Sequence, residues 1–200
     1  MDQPLPIADA KEPFALFGEW FREAAATEPG LPEAMSLATA SKDGRPSVRM
    51  VLLKEFSSAG FVFYTNTASR KGRDLTENPF GALCLYWKFL SRQVRIEGPF
   101  APVTAAEADA YFASRPRDSQ LAAWASDQSE VLATRAELFE RFMSAQKTYA
   151  GAPVPRPPYW SGYRLRPETI EFWQDVPNRL HDRLVFEHTP DGWRSFRLYP

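Results

Sequence analysis

The sequence predicts an α+β, mainly β domain: antiparallel strands closing toward a barrel, with helices flanking it. Three observations predict this. Short runs of alternating apolar and polar residues follow one another through the first half of the chain, as half-buried strands require. Hairpin signals such as Asp43-Gly44 separate them. Helical periodicity is confined to a few segments that never alternate regularly with strands, so a parallel βαβ sheet is not expected.

Residues 1–13, "MDQPLPIADAKEP", are Pro-rich and polar and read as a flexible arm, leaving residues 14–200 as a single domain. From Phe14 to Ala26, the aromatics Phe14, Phe17, Trp20 and Phe21 recur at helical spacing, and Pro29, Gly30 and Pro32 end the helix. "AMSLATAS" and "PSVRMVLLKEF" are two strands joined at "KDGR", and "GFVFYTN" is a third. "ASRKGRDLTENP" is a short helix with Ser69 as N-cap and Pro79 closing it. "FGALCLYWKF" and "RQVRIEGPFAPV" are two further strands around a turn at Ser91. "TAAEADAYFASRP" is a helix opened by Thr104 and Glu107 in capping-box spacing. A helix from about Leu132 to Tyr149 is expected to bury Leu138, Phe139, Phe142 and Met143. After the Pro-rich connector "GAPVPRPPYW", the strands resume in "GYRLRPETIEFWQ", "RLHDRLVFEH" and "RSFRLYP".

Composition excludes several classes of function. The formal net charge is −1, so no global field draws the chain to nucleic acid or to a membrane surface. Any anion site must be built from local clusters. The single Cys84 rules out an internal disulfide and offers no metal-ligand spacing; within "GALCLYW" it reads as a buried small hydrophobe. The N-terminus lacks the apolar stretch of a signal peptide, and no apolar run approaches the ~20 residues of a membrane span. The expectation is a cytoplasmic protein. Fifteen Phe, seven Tyr and six Trp make a large aromatic load, which serves a core but also suits a flat cofactor.

Four constellations could carry chemistry. "SRKGR" places Arg70, Lys71 and Arg73 at a helix start, where cations oppose the macrodipole unless an anion is bound; a solvated basic turn is the alternative. In "RMVLLK", Arg49 and Lys54 point to opposite faces of a regular strand, so whichever is buried needs an anionic partner, unless both strand ends reach water. Tyr111 and Arg115 stand four apart, with Ser119 one turn further if Pro116 only bends the helix, a phenol, guanidinium and hydroxyl suited to a phosphate monoester; a surface tyrosine packed on an arginine stem is the alternative. In "NRLHDR", a strand would put Arg179, His181 and Arg183 on one face, either as an anion grip or as a solvated edge. "TIEFWQ" places Ile170 and Phe172 on one face and Glu171 and Trp173 on the other. There is no Gly-rich phosphate loop, nucleophile elbow or metal cluster. Such a basic, aromatic site suggests that an organic cofactor carries the reaction.

Taken in order, "RMVLLK", "GFVFYTN", "SRKGR", "RQVRIEG", "YFASRP", "PPYWSGYRL", "IEFWQ" and "NRLHDR" closely resemble the pyridoxine/pyridoxamine 5'-phosphate oxidase family, from about Phe14 to the terminal "RLYP". The resemblance implies an FMN-binding, Greek-key-like split β-barrel, a homodimer with FMN at the subunit interface. It implies oxidation of pyridoxine or pyridoxamine 5'-phosphate to pyridoxal 5'-phosphate by hydride transfer to FMN, with O2 reoxidising the flavin to give H2O2.

Carried over residue by residue, the FMN grip falls on Arg49, Met50, Val51, Leu52, Tyr64, Thr65, Arg70 and Lys71. It continues at Gln93, Gln128, Ser129, Trp173 and Arg183. Lys54, Tyr111, Arg115 and Ser119 would take the substrate phosphate. Arg179, Leu180 and His181 would lie at the substrate, with Arg179 and His181 over the reacting ring as the catalytic pair. The chain departs from the family pattern in three places. Its N-terminal segment has no Arg or Tyr before residue 13, Tyr86 precedes the Trp of "LYWK", and "FWQDVPN" lacks the commoner glycine-containing link. Two alternatives are a flavin oxidase of the phenazine-biosynthesis type and a non-catalytic flavin- or pyridoxal-phosphate-binding protein.

Overall fold

The computed structural model describes Ile7 and residues 10–200. Helix α1 (Pro13–Thr27) starts with Pro13 in its first turn, and the Glu12 carboxylate accepts from Ala15 N–H at 2.7 Å. The strands are β1 (Ala34–Ala40), β2 (Pro46–Leu52), β3 (Glu55–Ser57), β4 (Gly60–Asn66), β5 (Phe80–Trp87) and β6 (Arg92–Pro102). They continue as β7 (Trp160–Leu165), β8 (Thr169–Gln174), β9 (Asp182–Thr189) and β10 (Gly192–Arg197). Helices α2 (Arg70–Glu77), α3 (Ala105–Ser114), α4 (Arg117–Ala125) and α5 (Arg135–Thr148) lie between them.

All strand pairs are antiparallel, in the order β10-β9-β8-β6-β5-β1-β2, with β7 and β4 branching from β6. The branch point is one long strand. The first part of β6 pairs with β5 and β8, and its end, Phe100–Pro102, pairs with β7. Gly98 permits the switch, because a Cβ there would lie 2.1 Å from Arg166 O. The sheet closes on itself where Lys54 N–H donates to Val62 O at 2.8 Å, giving the split barrel. Alternation then sorts the side chains. Met35, Leu37, Leu83, Leu85, Val94, Ile96, Ile170 and Phe172 point inward and are fully buried. Helix α1 plugs the barrel: Phe17 packs edge-on against Phe56 and Phe61, and Trp20 against Phe172.

Most of the expected arm, 1–13, lies outside the described residues. Where it is described, Ile7 is buried in the main core. Its N–H donates to Asp182 Oδ2 at 2.7 Å, and its carbonyl accepts from Arg197 at 2.8 Å. No described helix is long and apolar enough to cross a membrane.

The structure corrects four expectations. "NRLHDR" is not a strand throughout: Pro177–Arg179 is a 3-10 turn, with Asn178 and Arg179 both left-handed at φ 62° and 64°. Pro177 fixes φ and removes a donor, so pairing starts only at Asp182. Helix α5 buries none of its residues fully; of the four expected in the core, Phe139 and Met143 are exposed and Leu138 and Phe142 are half-covered. Pro116 does not merely bend the helix carrying Tyr111: α3 ends at Ser114 and a separate α4 follows, because Pro116 cannot donate. Cys84 is half-buried and faces outward, since its neighbours Leu83 and Leu85 take the inward positions. Ser69 is the N-cap of α2, as expected, although its hydroxyl donates to Asn66 O at 2.7 Å and makes no side-chain cap bond.

Candidate active site

A cleft of about 780 Å³ opens between β2, β4, α2 and the α3–α4 corner. Met50, Val51, Leu52, Lys54, Tyr64, Thr65, Lys71, Tyr111, Arg115, Ser119 and Gln128 all line it. Three more expected residues, Arg49, Arg70 and Ser129, adjoin these in sequence without lining the cleft.

At the inner end is a buried lysine. Lys71 Nζ donates to Gln128 Oε1 at 2.6 Å, to Thr65 Oγ1 at 3.2 Å and to Ser69 Oγ at 3.2 Å. All three acceptors are neutral, and no carboxylate pairs with it among the described residues. Burial therefore pushes its pKa down to about 8, and the nearby Arg49 adds to the shift. Arg49 is the cation of "RMVLLK" that turns inward, and it has the anionic partner that burial demands. It donates to Thr39 Oγ1 at 2.7 Å and to Leu37 O at 3.1 Å, and pairs with Asp74 at 3.6 Å. Thr39 in turn donates to Asp74 at 2.6 Å. Burial still holds the Arg49 pKa below its ordinary value, against the opposing pull of Asp74.

The outer wall is aromatic. Tyr64 stacks on Tyr111 at 4.0 Å and on Trp160 at 5.5 Å, all nearly parallel. Gly162 leaves room for this, because a Cβ there would meet the Tyr64 ring at 2.7 Å. Burial pushes both phenols up, so they remain neutral donors. Arg115 follows α3 in an extended conformation and lies over Trp160 at 4.8 Å. Its Nη1 is buried with no hydrogen-bond partner among the described residues. Such an orphan guanidinium N–H is costly unless an acceptor arrives. The Lys54 ammonium, at the cleft rim, makes a loose 3.9 Å contact to Glu33.

The remaining residues lie elsewhere. Cross-strand pairing sets Tyr86, Gln93, Trp173 and Arg183 in one row across β5, β6, β8 and β9. This row shares the outer face with Met50 and Leu52 but sits on the opposite limb. From β8 to β2 is four strand spacings, about 19 Å along the sheet. Arg183 is locked to buried Glu171 by two parallel 3.0 Å bonds and donates to Tyr199 O at 2.9 Å. Arg95 also reaches Glu171, at 3.5 Å. Glu171→Ala is expected to cost about 3 kcal/mol, because it strands these guanidiniums; a urea midpoint unchanged from wild type would contradict this. His181 lies against Trp173 at 4.8 Å, whereas Arg179 and Leu180 are exposed on the turn.

Sequence reasoning did not single out Asp74, Glu171 or Trp160 for the site. Each had a signal: inward-facing Arg49 required an acid, Glu171 shares Trp173's face, and Trp160 lies within "PPYWSGYRL".

The family description "Pyridoxamine 5'-phosphate oxidase" matches residues 21–196. The chain belongs to the pyridoxamine 5'-phosphate oxidase family. It is an oxidoreductase of that family. A relative from Sphingopyxis alaskensis, named pyridoxine/pyridoxamine 5'-phosphate oxidase, is 59% identical over 94% of this chain and 88% of its own. One of the same name from Gluconobacter oxydans is 56% identical over 98% of both chains. Among solved structures, PhzG from Burkholderia lata, in complex with tetrahydrophenazine-1-carboxylic acid, is 34% identical. It superposes with a TM-score of 0.91 over 96% of this chain and 94% of its own. A Nostoc punctiforme pyridoxamine 5'-phosphate oxidase-related, FMN binding protein shares the fold at 15% identity and a TM-score of 0.75, covering 98% and 100%. The split barrel expected from the sequence is therefore the fold of this family.

Proposed function

We propose that this chain oxidises pyridoxine 5'-phosphate, pyridoxamine 5'-phosphate or both to pyridoxal 5'-phosphate, using FMN and O2, as a cytoplasmic homodimer formed by residues 14–200. One observation carries the reading: a single cleft holds two separate cations that lack anionic partners among the described residues, buried Lys71 and orphaned Arg115. Two phosphates, one on FMN and one on substrate, satisfy both. The residues fit FMN in other respects. Lys71, Thr65 and Gln128 would hold its phosphate, with Arg49 and Arg70 adding positive field and Ser129 beside them. A cleft of about 780 Å³ is in the range of cofactor sites.

Bound FMN supplies a two-electron acceptor for the hydride from substrate C4', and O2 removes the electrons as H2O2. The protein's part is placement. Lys54, Tyr111, Arg115 and Ser119 fix the substrate phosphate, and so set where the ring lies. Tyr64, Tyr111 and Trp160 wall off water on one side. Arg179 and His181 close over the ring, with Leu180 between them, while Gln93, Trp173 and Arg183 face the flavin.

These last residues cannot reach the cleft of their own chain along a sheet limb, which supports a site completed by a second copy. The outer face between the two limbs is lined by Ala34, Ser36, Ala38, Ala82 and Cys84 and flanked by exposed Val48, Met50 and Tyr86. A twofold pairing on this face sets the Trp173 limb of one protomer over the Lys71 cleft of the other. Ser36→Arg, at the centre of the face, is expected to give monomers that lose FMN. Sedimentation and flavin absorbance read both, and a yellow monomer would refute the shared site.

The similarity to PhzG favours a second reading, oxidation of a phenazine-type ring. Arg115 discriminates, since a substrate without phosphate leaves its Nη1 unpaired. The deciding assay is pyridoxal 5'-phosphate and peroxide formation from pyridoxine 5'-phosphate in air. A yellow protein that makes no aldehyde removes the vitamin B6 reading; a protein that cannot be loaded with FMN removes both.

A further inference from the structure

His181 has a partner outside the cleft-facing set. Its Nδ1 lies 2.8 Å from Asp175 Oδ1. Val176 N–H points at the same nitrogen from 3.3 Å. The two contacts make opposite demands: a carboxylate requires a proton on Nδ1, and an N–H requires a lone pair. The carboxylate is nearer, and its hydrogen bond is charge-assisted, so it decides the tautomer. Both residues are held to do this. Asp175 N–H donates to Ser91 O at 3.0 Å, which fixes the end of β8. His181 directly precedes the last rung of the β8–β9 ladder, Gln174 opposite Asp182. Trp173 then restrains the imidazole plane, tilted by 45° at 4.8 Å. The His181 side chain is 15% exposed against 53% for Asp175, so the carboxylate stands at the solvent side of the ring.

We infer that Asp175 is a positioning residue, which holds His181 as the Nδ1–H tautomer and leaves Nε2 as the acceptor for the hydroxyl or amine on the reacting carbon. The inference rests on the proposed placement of His181 over the substrate ring. An Nε2–H tautomer would instead present a donor there. A carboxylate behind an imidazole selects its tautomer and orientation in this way wherever the ring must act through its other nitrogen.

The chain has only two histidines, so long-range 1H–15N spectra of the FMN-loaded protein, labelled in its imidazoles, resolve both. His181 is expected as Nδ1–H in the wild type. In Asp175→Asn the side-chain amide and Val176 N–H can both donate to Nδ1, so the ring switches to Nε2–H while exposed His188 stays unchanged. Asp175→Glu is expected to restore the wild-type pattern. Turnover of pyridoxine 5'-phosphate should fall about tenfold in Asp175→Asn, in kcat more than in KM, with FMN affinity unaltered and partial recovery in Asp175→Glu. An Nε2–H ring in the wild type, or a tautomer that ignores Asp175→Asn, overturns the inference. So does a switched tautomer with full turnover. Failure of the wild type itself to oxidise either vitamer overturns the proposed function, and with it this role, even where the tautomer responds as expected.

Discussion

Arg115→Ala is expected to lower kcat/KM for pyridoxine 5'-phosphate by about a hundredfold, mostly through KM. The size follows from charge-assisted hydrogen bonds to a phosphate, worth roughly 1.5–3 kcal/mol together in net terms. The split follows from distance: the phosphate is remote from the reacting carbon and is held alike before and during hydride transfer. Stability should change little. The substitution loses a cation–π contact to Trp160 but also removes a buried donor that has no partner. Steady-state kinetics with a urea melt test both parts. A fall confined to kcat, or equal losses for phosphorylated and unphosphorylated substrates, would place the phosphate elsewhere.

Lys71→Met should act on FMN rather than on substrate. We expect FMN affinity to weaken about a hundredfold, as one charge-assisted contact to a phosphate is removed. The FMN-free protein should become about 2 kcal/mol more stable at pH 7, because a buried ammonium held only by neutral acceptors is costly. The lowered pKa also sets a pH dependence. In the folded protein Lys71 loses its proton above about 8, against 10.5 ordinarily. The unfolded chain therefore binds more protons between these values, and stability rises with pH across that window. Phosphate binding runs the other way. A bound dianion favours the ammonium, so binding takes up a proton above pH 8, and affinity falls by up to about tenfold per pH unit there. Flavin fluorescence titrations at pH 7, 8 and 9 read this slope, which should vanish in Lys71→Met. A flat profile in the wild type would mean that another group holds the phosphate.

Much of the fold was legible because strand alternation and turn chemistry are local. β1, β4, β5, β6 and the capping box of α3 fall where periodicity puts them. Helix α4 was not anticipated, since "RDSQLAAWA" mixes small and polar residues without a clear apolar stripe. Helix α5 was expected to bury Phe139 and Met143, which are exposed; periodicity reports which face is apolar, not what covers it. In "NRLHDR" alternation suggested a strand, but Pro177 and two left-handed residues make a turn of its first half.

The family, the split barrel and the types of side chain that meet phosphates and rings are legible along the chain, because these depend on ordered motifs and local patterns. Only the tertiary structure decided which cations go unpaired. Arg49 found Asp74, Arg183 found Glu171 and His181 found Asp175, while Lys71 and Arg115 found no acid among the described residues. The first two pairings join residues from different elements and the third spans the turn between β8 and β9, and the energy of a buried charge depends on what stands within a few ångströms of it. Spacing along the chain cannot supply that distance.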